Sequence, residues 1–144
     1  MTAEDNVDEL IAQFDLAQGE FVKSNPEPIK KWYSHRQEVS LANPIGPTAR
    51  GWEQVAATLE RAASQLRDGE LLEVENLAKY VTPELAYVVR VERSKSKVGG
   101  QEAVTPVSLR ATMIMRPEDG VWRIVHRHAD PITTARPAES VIQQ

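Results

Sequence analysis

The sequence predicts an α+β domain in which an antiparallel sheet curls around helices from the N-terminal half. Up to about Leu66, apolar residues recur at the three- and four-residue spacing of amphipathic helices. After Gly69 the apolar period changes to two, as in half-buried strands. Gly99-Gly100 and Asp119-Gly120 stand between alternating runs and are typical of hairpin turns. Helices segregated from an antiparallel sheet define the α+β class.

The helical half contains three predicted helices. Residues 2–22 form the first, because their apolar residues line one face of a helix. A short helix runs through Trp32 and Tyr33. Residues 50–66 form the third, and Gly69 is a suitable helix stop.

The sheet half contains four predicted strands, preceded by a short strand at residues 38–43 and a rigid turn at 44–47. The four strands cover residues 71–81, 85–95, 104–116 and 121–130. Residues 1–131 are therefore predicted to form one domain, and residues 132–144 an irregular tail.

Composition excludes several classes of function. Lys+Arg number 17 against 21 Asp+Glu in a chain of 144 residues, whereas a general nucleic-acid binder needs a clustered basic surface. Without cysteine there is no disulfide, no thiolate nucleophile and no cysteine-ligated zinc. No apolar run approaches the roughly 20 residues of a membrane span, and the acidic N-terminus does not resemble a signal peptide. We therefore expect a cytoplasmic protein with neither a membrane nor a nucleic-acid partner.

Hairpin turns determine which strand residues share a face. A two-residue turn at Gly99-Gly100 places Tyr87 opposite Thr112, and a four-residue loop at 117–120 places Arg110 opposite Arg127. These four side chains would then share one concave face. The opposite face would carry Met113, Met115, Trp122, Ile124, His126 and His128.

A second register remains open. A three-residue loop, or a β-bulge late in the last strand, would bring His126 and His128 alongside Thr112 and Arg110.

Four segments in order carry a resemblance to a known family: Asn43-Pro44-Ile45-Gly46, Arg50-Gly51-Trp52-Glu53, Leu109-Arg110-Ala111-Thr112 and the run WRIVHRHAD from Trp122 to Asp130. Over residues 7–130 the chain resembles the nuclear transport factor 2-like superfamily, in its polyketide cyclase-like (SnoaL-like) and ketosteroid isomerase-like branch. The resemblance implies a cone-shaped, strongly curved sheet wrapped around the helices, with a pocket between them. It also implies a homodimer formed through the outer sheet face.

The catalytic residues of ketosteroid isomerases do not carry over. Asn43 stands where that family places its general-base aspartate, and Thr112 where it places an oxyanion-binding acid. The first helix offers Phe14 and Phe21 where the family has a tyrosine hydroxyl. An amide cannot accept a carbon acid's proton as a carboxylate does, so the chain resembles the scaffold without the isomerase chemistry. The HRHAD ending is more similar to the superfamily's kinase-association domains and to small stand-alone proteins.

The predicted ligand site lies on the concave face. Placing the positive charges of Arg110 and Arg127 in one pocket would cost free energy unless an anion neutralises them. This favours a partly apolar ligand with a carboxylate. Asn43 and Thr112 would supply hydrogen bonds, and Trp32 and Tyr87 would form walls. In the alternative, each arginine reaches solvent or pairs with an internal acid, for which the candidates are Glu38, Glu53 and Glu92.

Two classes of function follow from this pattern. The first is a binding module for a small anionic molecule. The second is a cofactor-independent enzyme with His126 or His128 as general base. Histidines two apart on a strand, with Asp130, also suggest a metal site, but the spacing is unspecific and we expect neither metal nor cofactor. A filled pocket would instead indicate an oligomerisation domain.

Overall fold

The computed structural model describes residues 1–143 and confirms the α+β class. Helices precede a curved, open sheet of six strands in the order β2-β1-β6-β5-β4-β3. All neighbouring strands are antiparallel except β1 and β6. The elements are α1 (Ala3–Phe21), α2 (Glu27–Lys30), β1 (Ser40–Ala42), β2 (Ala49–Arg50), α3 (Trp52–Ser64), β3 (Leu66–Val81), β4 (Ala86–Val98), β5 (Thr105–Glu118) and β6 (Val121–Asp130).

The N-terminal helix begins with a capping box. The Thr2 hydroxyl accepts from the Asp5 amide at 3.1 Å, and the Asp5 carboxylate accepts from the Thr2 amide at 3.1 Å. Helix α2 ends at Lys30, earlier than predicted, because the chain beyond it joins the sheet. Tyr33 forms a parallel bridge to Ile124 of β6. The apolar stripe of α1 enters the core through Val7, Leu10, Phe14 and Ala17.

Gly69 does not end α3, and its predicted role was wrong. Strand β3 starts directly after that helix, and Gly69 lies inside the strand. Its amide donates to the Val22 carbonyl at 3.0 Å, and a Cβ here would lie 2.3 Å from that oxygen. The glycine therefore allows β3 to approach the end of α1.

The hairpin between β4 and β5 is wider than predicted. Thr112 lies opposite Val89, and Tyr87 lies opposite Ile114 instead of Thr112. The shift is two residues, so it leaves each side chain on its expected side of the sheet relative to its neighbours.

The hairpin between β5 and β6 corrects the predicted pairing of the two arginines. The turn contains only Asp119-Gly120, and a bulge next to Ile114 leaves Val125 out of register. Arg110 consequently lies opposite Asp130, whereas Arg127 lies opposite Met113. The four-residue loop was wrong, and the alternative with a late bulge is the one that the structure contains.

The two faces of the sheet can now be assigned. The inner face, which packs on the helices, carries Val88, Arg90, Glu92, Ala111, Met113, Met115, Ile124, Arg127 and Ala129, all of them buried. The outer face carries Tyr87, Val89, Arg110, Thr112, Ile114, His126, His128 and Asp130. Residues 132–143 are exposed and contain one 3-10 turn, Ala138–Val141.

Candidate functional site

A cavity of about 350 Å³ lies between the helices and the inner face of the sheet. Most of its lining is apolar, as is usual for sites that hold small molecules. Helices supply Phe21, Leu59 and Ala62, and the loop after β1 supplies Pro44 and Ile45. Further apolar side chains come from Val22, Ile29, Tyr33, Leu41, Leu66, Leu71, Val98, Val107, Leu109, Ala129 and Pro131.

The charged part of the cavity wall is an ion pair between β6 and β4. Arg127 donates from Nη1 to Glu92 Oε2 at 2.8 Å and from Nη2 to Glu92 Oε1 at 2.6 Å. Arg90 Nε donates to the same carboxylate at 2.9 Å, and Gln18 Nε2 of α1 does so at 3.2 Å. Both members of the pair are buried, which costs free energy of desolvation. The two hydrogen bonds between them supply the geometry that compensates this cost.

The two charges of this pair hold each other ionised. Burial by itself would raise the pKa of Glu92, but Arg127 and Arg90 outweigh it and lower that pKa to about 2. Burial by itself would lower the pKa of Arg127, but Glu92 raises it above its ordinary value. At neutral pH Glu92 is therefore an ionised carboxylate that already accepts hydrogen bonds from Arg127 and Arg90, and it is unsuited to accept a proton from a substrate.

Tyr33 adds a phenol to the same region of the cavity. It is 1% exposed and packs edge-on against Phe14, with 6.3 Å between ring centroids. Burial, outweighing the neighbouring positive charge of Arg127, raises the pKa of Tyr33 to about 12. The phenol is therefore neutral at physiological pH, and its hydroxyl is able to donate or accept a hydrogen bond.

Further polar side chains come from β4 and from the loop after β1. Ser94 and Ser96 follow Glu92 at alternate positions, so they face the cavity from the same strand. Asn43 also lines the cavity, and its Oδ1 accepts from the Ile45 amide at 3.1 Å. Asn43 thus also stabilises the turn that follows it.

Only part of the predicted ligand site lines the cavity. Asn43 and Arg127 do. Arg110, Thr112 and Tyr87 lie on the outer face, and Trp32 packs against the core outside the cavity lining. Arg110 is exposed and binds Asp130 through Nε at 2.9 Å and Nη2 at 2.9 Å. The prediction that Arg110 and Arg127 converge was wrong, because the bulge in β6 puts them on opposite faces.

Both candidate catalytic histidines lie on the outer face, away from the cavity. His126 Nδ1 is 2.7 Å from the Ser40 hydroxyl, and His128 Nε2 is 3.4 Å from Asp130 Oδ2. Burial, together with the charge of His128, lowers the pKa of His126 below its usual range. Within residues 1–143, no group of three or more histidine and acidic side chains is placed to hold a metal ion.

Sequence reasoning missed most of the polar cavity residues. Glu92 was one of three acids considered as arginine partners, and it does pair with Arg127. Gln18, Gln65, Ser94 and Ser96 were not predicted. The signal was the polar alternation at even positions of β4, but such a row usually marks a solvent-facing side of a strand. Here that row faces inward.

The fold and the cavity together define a small cone-fold protein with a pocket of ligand size. A family model described as the SnoaL-like domain matches residues 30–133. The chain belongs to this family, within the nuclear transport factor 2-like superfamily. A comparison with curated proteins finds no match. None of the helices in the described part of the chain is long and apolar enough to cross a bilayer.

Solved structures share the architecture at low identity. A nuclear transport factor 2-like superfamily protein from Salmonella enterica serovar Typhimurium has 18% identity and a TM-score of 0.79, over 95% of this chain and 96% of that chain. A ketosteroid isomerase-like protein from Erwinia carotovora has 14% identity and a TM-score of 0.74, over 90% and 96%. A candidate calcium/calmodulin-dependent protein kinase type II association domain from Thiobacillus denitrificans has 20% identity and a TM-score of 0.66, over 85% and 91%. At this identity the likeness establishes the fold alone.

Proposed function

We propose that the protein is a binding module for a small, uncharged and predominantly apolar molecule. The observation that carries this proposal is the neutralised ion pair in a predominantly apolar cavity. Among the described residues that line it, Arg127 and Glu92 are the charged ones, and they bind each other. Apolar area removed from water would supply most of the affinity, at about 25 cal/mol per Å².

A carboxylate ligand, the initial expectation, has little support from this geometry. Both terminal nitrogens of Arg127 already donate to Glu92. A second carboxylate would either compete with Glu92 for this guanidinium or add a second negative charge beside the buried Glu92. Arg110 cannot assist, since it lies on the outer face with Asp130.

Binding without turnover is favoured by the protonation states inside the cavity. Asn43 and Gln18 are amides, Glu92 is ionised and paired, and Tyr33 holds its proton. General acid–base catalysis needs a group with a pKa near the working pH. An enzyme with His126 or His128 as base would need its substrate on the outer face, whereas the apolar cavity lies on the inner face.

We further propose that the outer face forms a homodimer, as the family resemblance implies. Tyr87, Val89, Thr112 and Ile114 form a partly apolar strip there. Arg110 and Asp130 lie at one end of the strip as a ready-made ion pair. A mixed apolar and polar surface of this kind suits a protein–protein contact.

The proposal is tested by titration calorimetry with two matched probes, diphenylmethane and the diphenylacetate anion. The variant Ala62→Trp fills the cavity from α3, whereas Ala57→Trp places the same side chain on the exposed side of that helix. We expect diphenylmethane to bind wild type and Ala57→Trp but not Ala62→Trp. We expect diphenylacetate to bind at least about tenfold more weakly than diphenylmethane, because its charge must be desolvated. Tighter binding of the anion, or unchanged binding to Ala62→Trp, would overturn the proposal.

A further inference from the structure

We propose that the hydroxyl of Ser96 is a specificity-determining hydrogen-bond donor, and that the ligand is an apolar carbonyl compound whose oxygen it binds. This inference rests on the proposed binding function and names the class of ligand. It follows from one buried hydroxyl, its position on β4 and the chemistry of its neighbours.

Ser96 is part of the cavity wall and yet is only 1% exposed. Its Cα lies opposite Thr105 of β5, and its carbonyl accepts from the Thr105 hydroxyl at 3.4 Å. The backbone carbonyl of Ser96 therefore has a hydrogen-bond partner. The Ser96 hydroxyl, by contrast, has no hydrogen-bond partner anywhere in residues 1–143.

An unpartnered buried hydroxyl is uncommon, because burying a polar group without a hydrogen bond costs free energy. A hydrophobic side chain of similar size, such as alanine, would avoid this cost. A serine at the wall of an apolar cavity gains its partner when a ligand supplies one. The same logic underlies the rejection of analogues that lack a hydrogen-bonding group by sites built to receive it.

The surroundings of Ser96 favour a carbonyl over an alcohol. Thr105, directly opposite Ser96, donates its hydroxyl proton to the Ser96 carbonyl, and the next inner-face positions are apolar, Val98 on β4 and Val107 on β5. An alcohol would bring its own proton into these apolar surroundings, and an unmet donor is costly. A carbonyl brings only lone pairs, and buried carbonyls tolerate incomplete hydrogen bonding better than donors do.

The position of Ser96 also separates the carbonyl from the ion pair. Glu92 and Ser96 are four residues apart on one strand, or about 13 Å at the usual strand rise. The ligand's oxygen would lie at the Ser96 end, and its apolar body would extend toward Tyr33 and Arg127. Ser108 of β5 lies opposite Arg93 on the outer face, outside the cavity lining, and serves as a matched control position.

The test compares benzophenone with diphenylmethane, which differ by the carbonyl group, in calorimetric titrations of the full chain. Wild type is expected to bind benzophenone about tenfold more tightly, the usual effect of one net hydrogen bond. Ser96→Ala is expected to lose this preference while still binding diphenylmethane, and Ser108→Ala to keep it. Ser96→Ala should also melt at a higher temperature than wild type in the absence of ligand, because the unpartnered hydroxyl is gone.

Irradiation of bound benzophenone gives an independent readout on wild type. The excited carbonyl inserts into nearby C–H bonds, so mass spectrometry should find the label on the peptides of β4 or β5 around Ser96. A ketone preference that survives in Ser96→Ala, a label confined to other elements, or stronger binding of diphenylmethanol than of benzophenone would each overturn the inference. None of these outcomes would contradict the proposed function, binding of an apolar molecule. Failure of wild type to bind diphenylmethane would instead overturn the proposed function.

Discussion

Arg127 of β6 and Glu92 of β4 bind each other through two hydrogen bonds, of 2.8 and 2.6 Å, although β5 lies between their strands. Both side chains extend over the inner face of β5 to meet. Gln18 of α1 donates to the same carboxylate at 3.2 Å. The pair therefore ties the first helix to the sheet and neutralises the charged part of the cavity wall.

Removing the negative charge of this pair should destabilise the protein strongly. Glu92→Gln leaves the buried guanidinium groups of Arg127 and Arg90 without their shared carboxylate. We expect the free energy of unfolding in urea to fall by about 3–5 kcal/mol. The control is Glu75→Gln, which breaks an exposed pair with Arg93 and should cost less than about 1 kcal/mol. Similar losses in the two variants would contradict a structural role for Glu92.

The lowered pKa of His126 predicts a dependence of stability on pH. Its ordinary value is 6.5, and burial makes protonation harder in the folded state. Between that lowered pKa and pH 6.5 the unfolded chain therefore binds more protons, and the free energy of unfolding falls as the pH falls through this window. His126→Asn should flatten this part of the profile, measured by urea unfolding between about pH 5 and pH 8. An unchanged slope in the variant would show that His126 does not contribute.

Adding a methyl group at Gly69 should destabilise the folded protein. Its Cβ would lie 2.3 Å from the Val22 carbonyl oxygen, a backbone atom that can move only with α1. We expect Gly69→Ala to lower the free energy of unfolding by about 3 kcal/mol or more. Gly19→Ala is the matched control, because Gly19 lies in α1 with nothing within 4 Å of a built Cβ. That variant should be stabilised by about 0.5–1 kcal/mol, and equal effects at the two sites would refute the close approach.

Disrupting the outer face should separate the proposed dimer. Ile114 lies opposite His126 on that face, so Ile114→Asp would bury a charge in the contact. We expect sedimentation equilibrium to show a dimer for wild type and a monomer for this variant. Leu16→Asp changes an exposed residue of α1 and should remain dimeric. A wild-type monomer at micromolar concentration would end the dimer proposal.

Much of the fold was predictable because its signals are local. The helical spacing in α1 and α3 and the Asp119-Gly120 turn each act within a few residues. The ordered segments from Asn43 to Asp130 also sufficed to predict the family, which the matched domain confirms. The misplaced boundaries have tertiary causes: the chain after Lys30 bridges to β6, and β3 begins before Gly69 to pack on α1.

The sequence by itself determined the class, the element order and the family of this protein, because periodicity and turn residues are properties of neighbouring positions. Only the tertiary structure decided which side chains line the cavity. Strand faces alternate with a period of two, so the single bulge at Val125 moved Arg127 to the face opposite Arg110. The direction in which the sheet curls then placed the polar row of β4, including Glu92 and Ser96, inside the molecule. Neither effect is encoded in a local pattern, since both depend on how distant strands pair and on what packs against them.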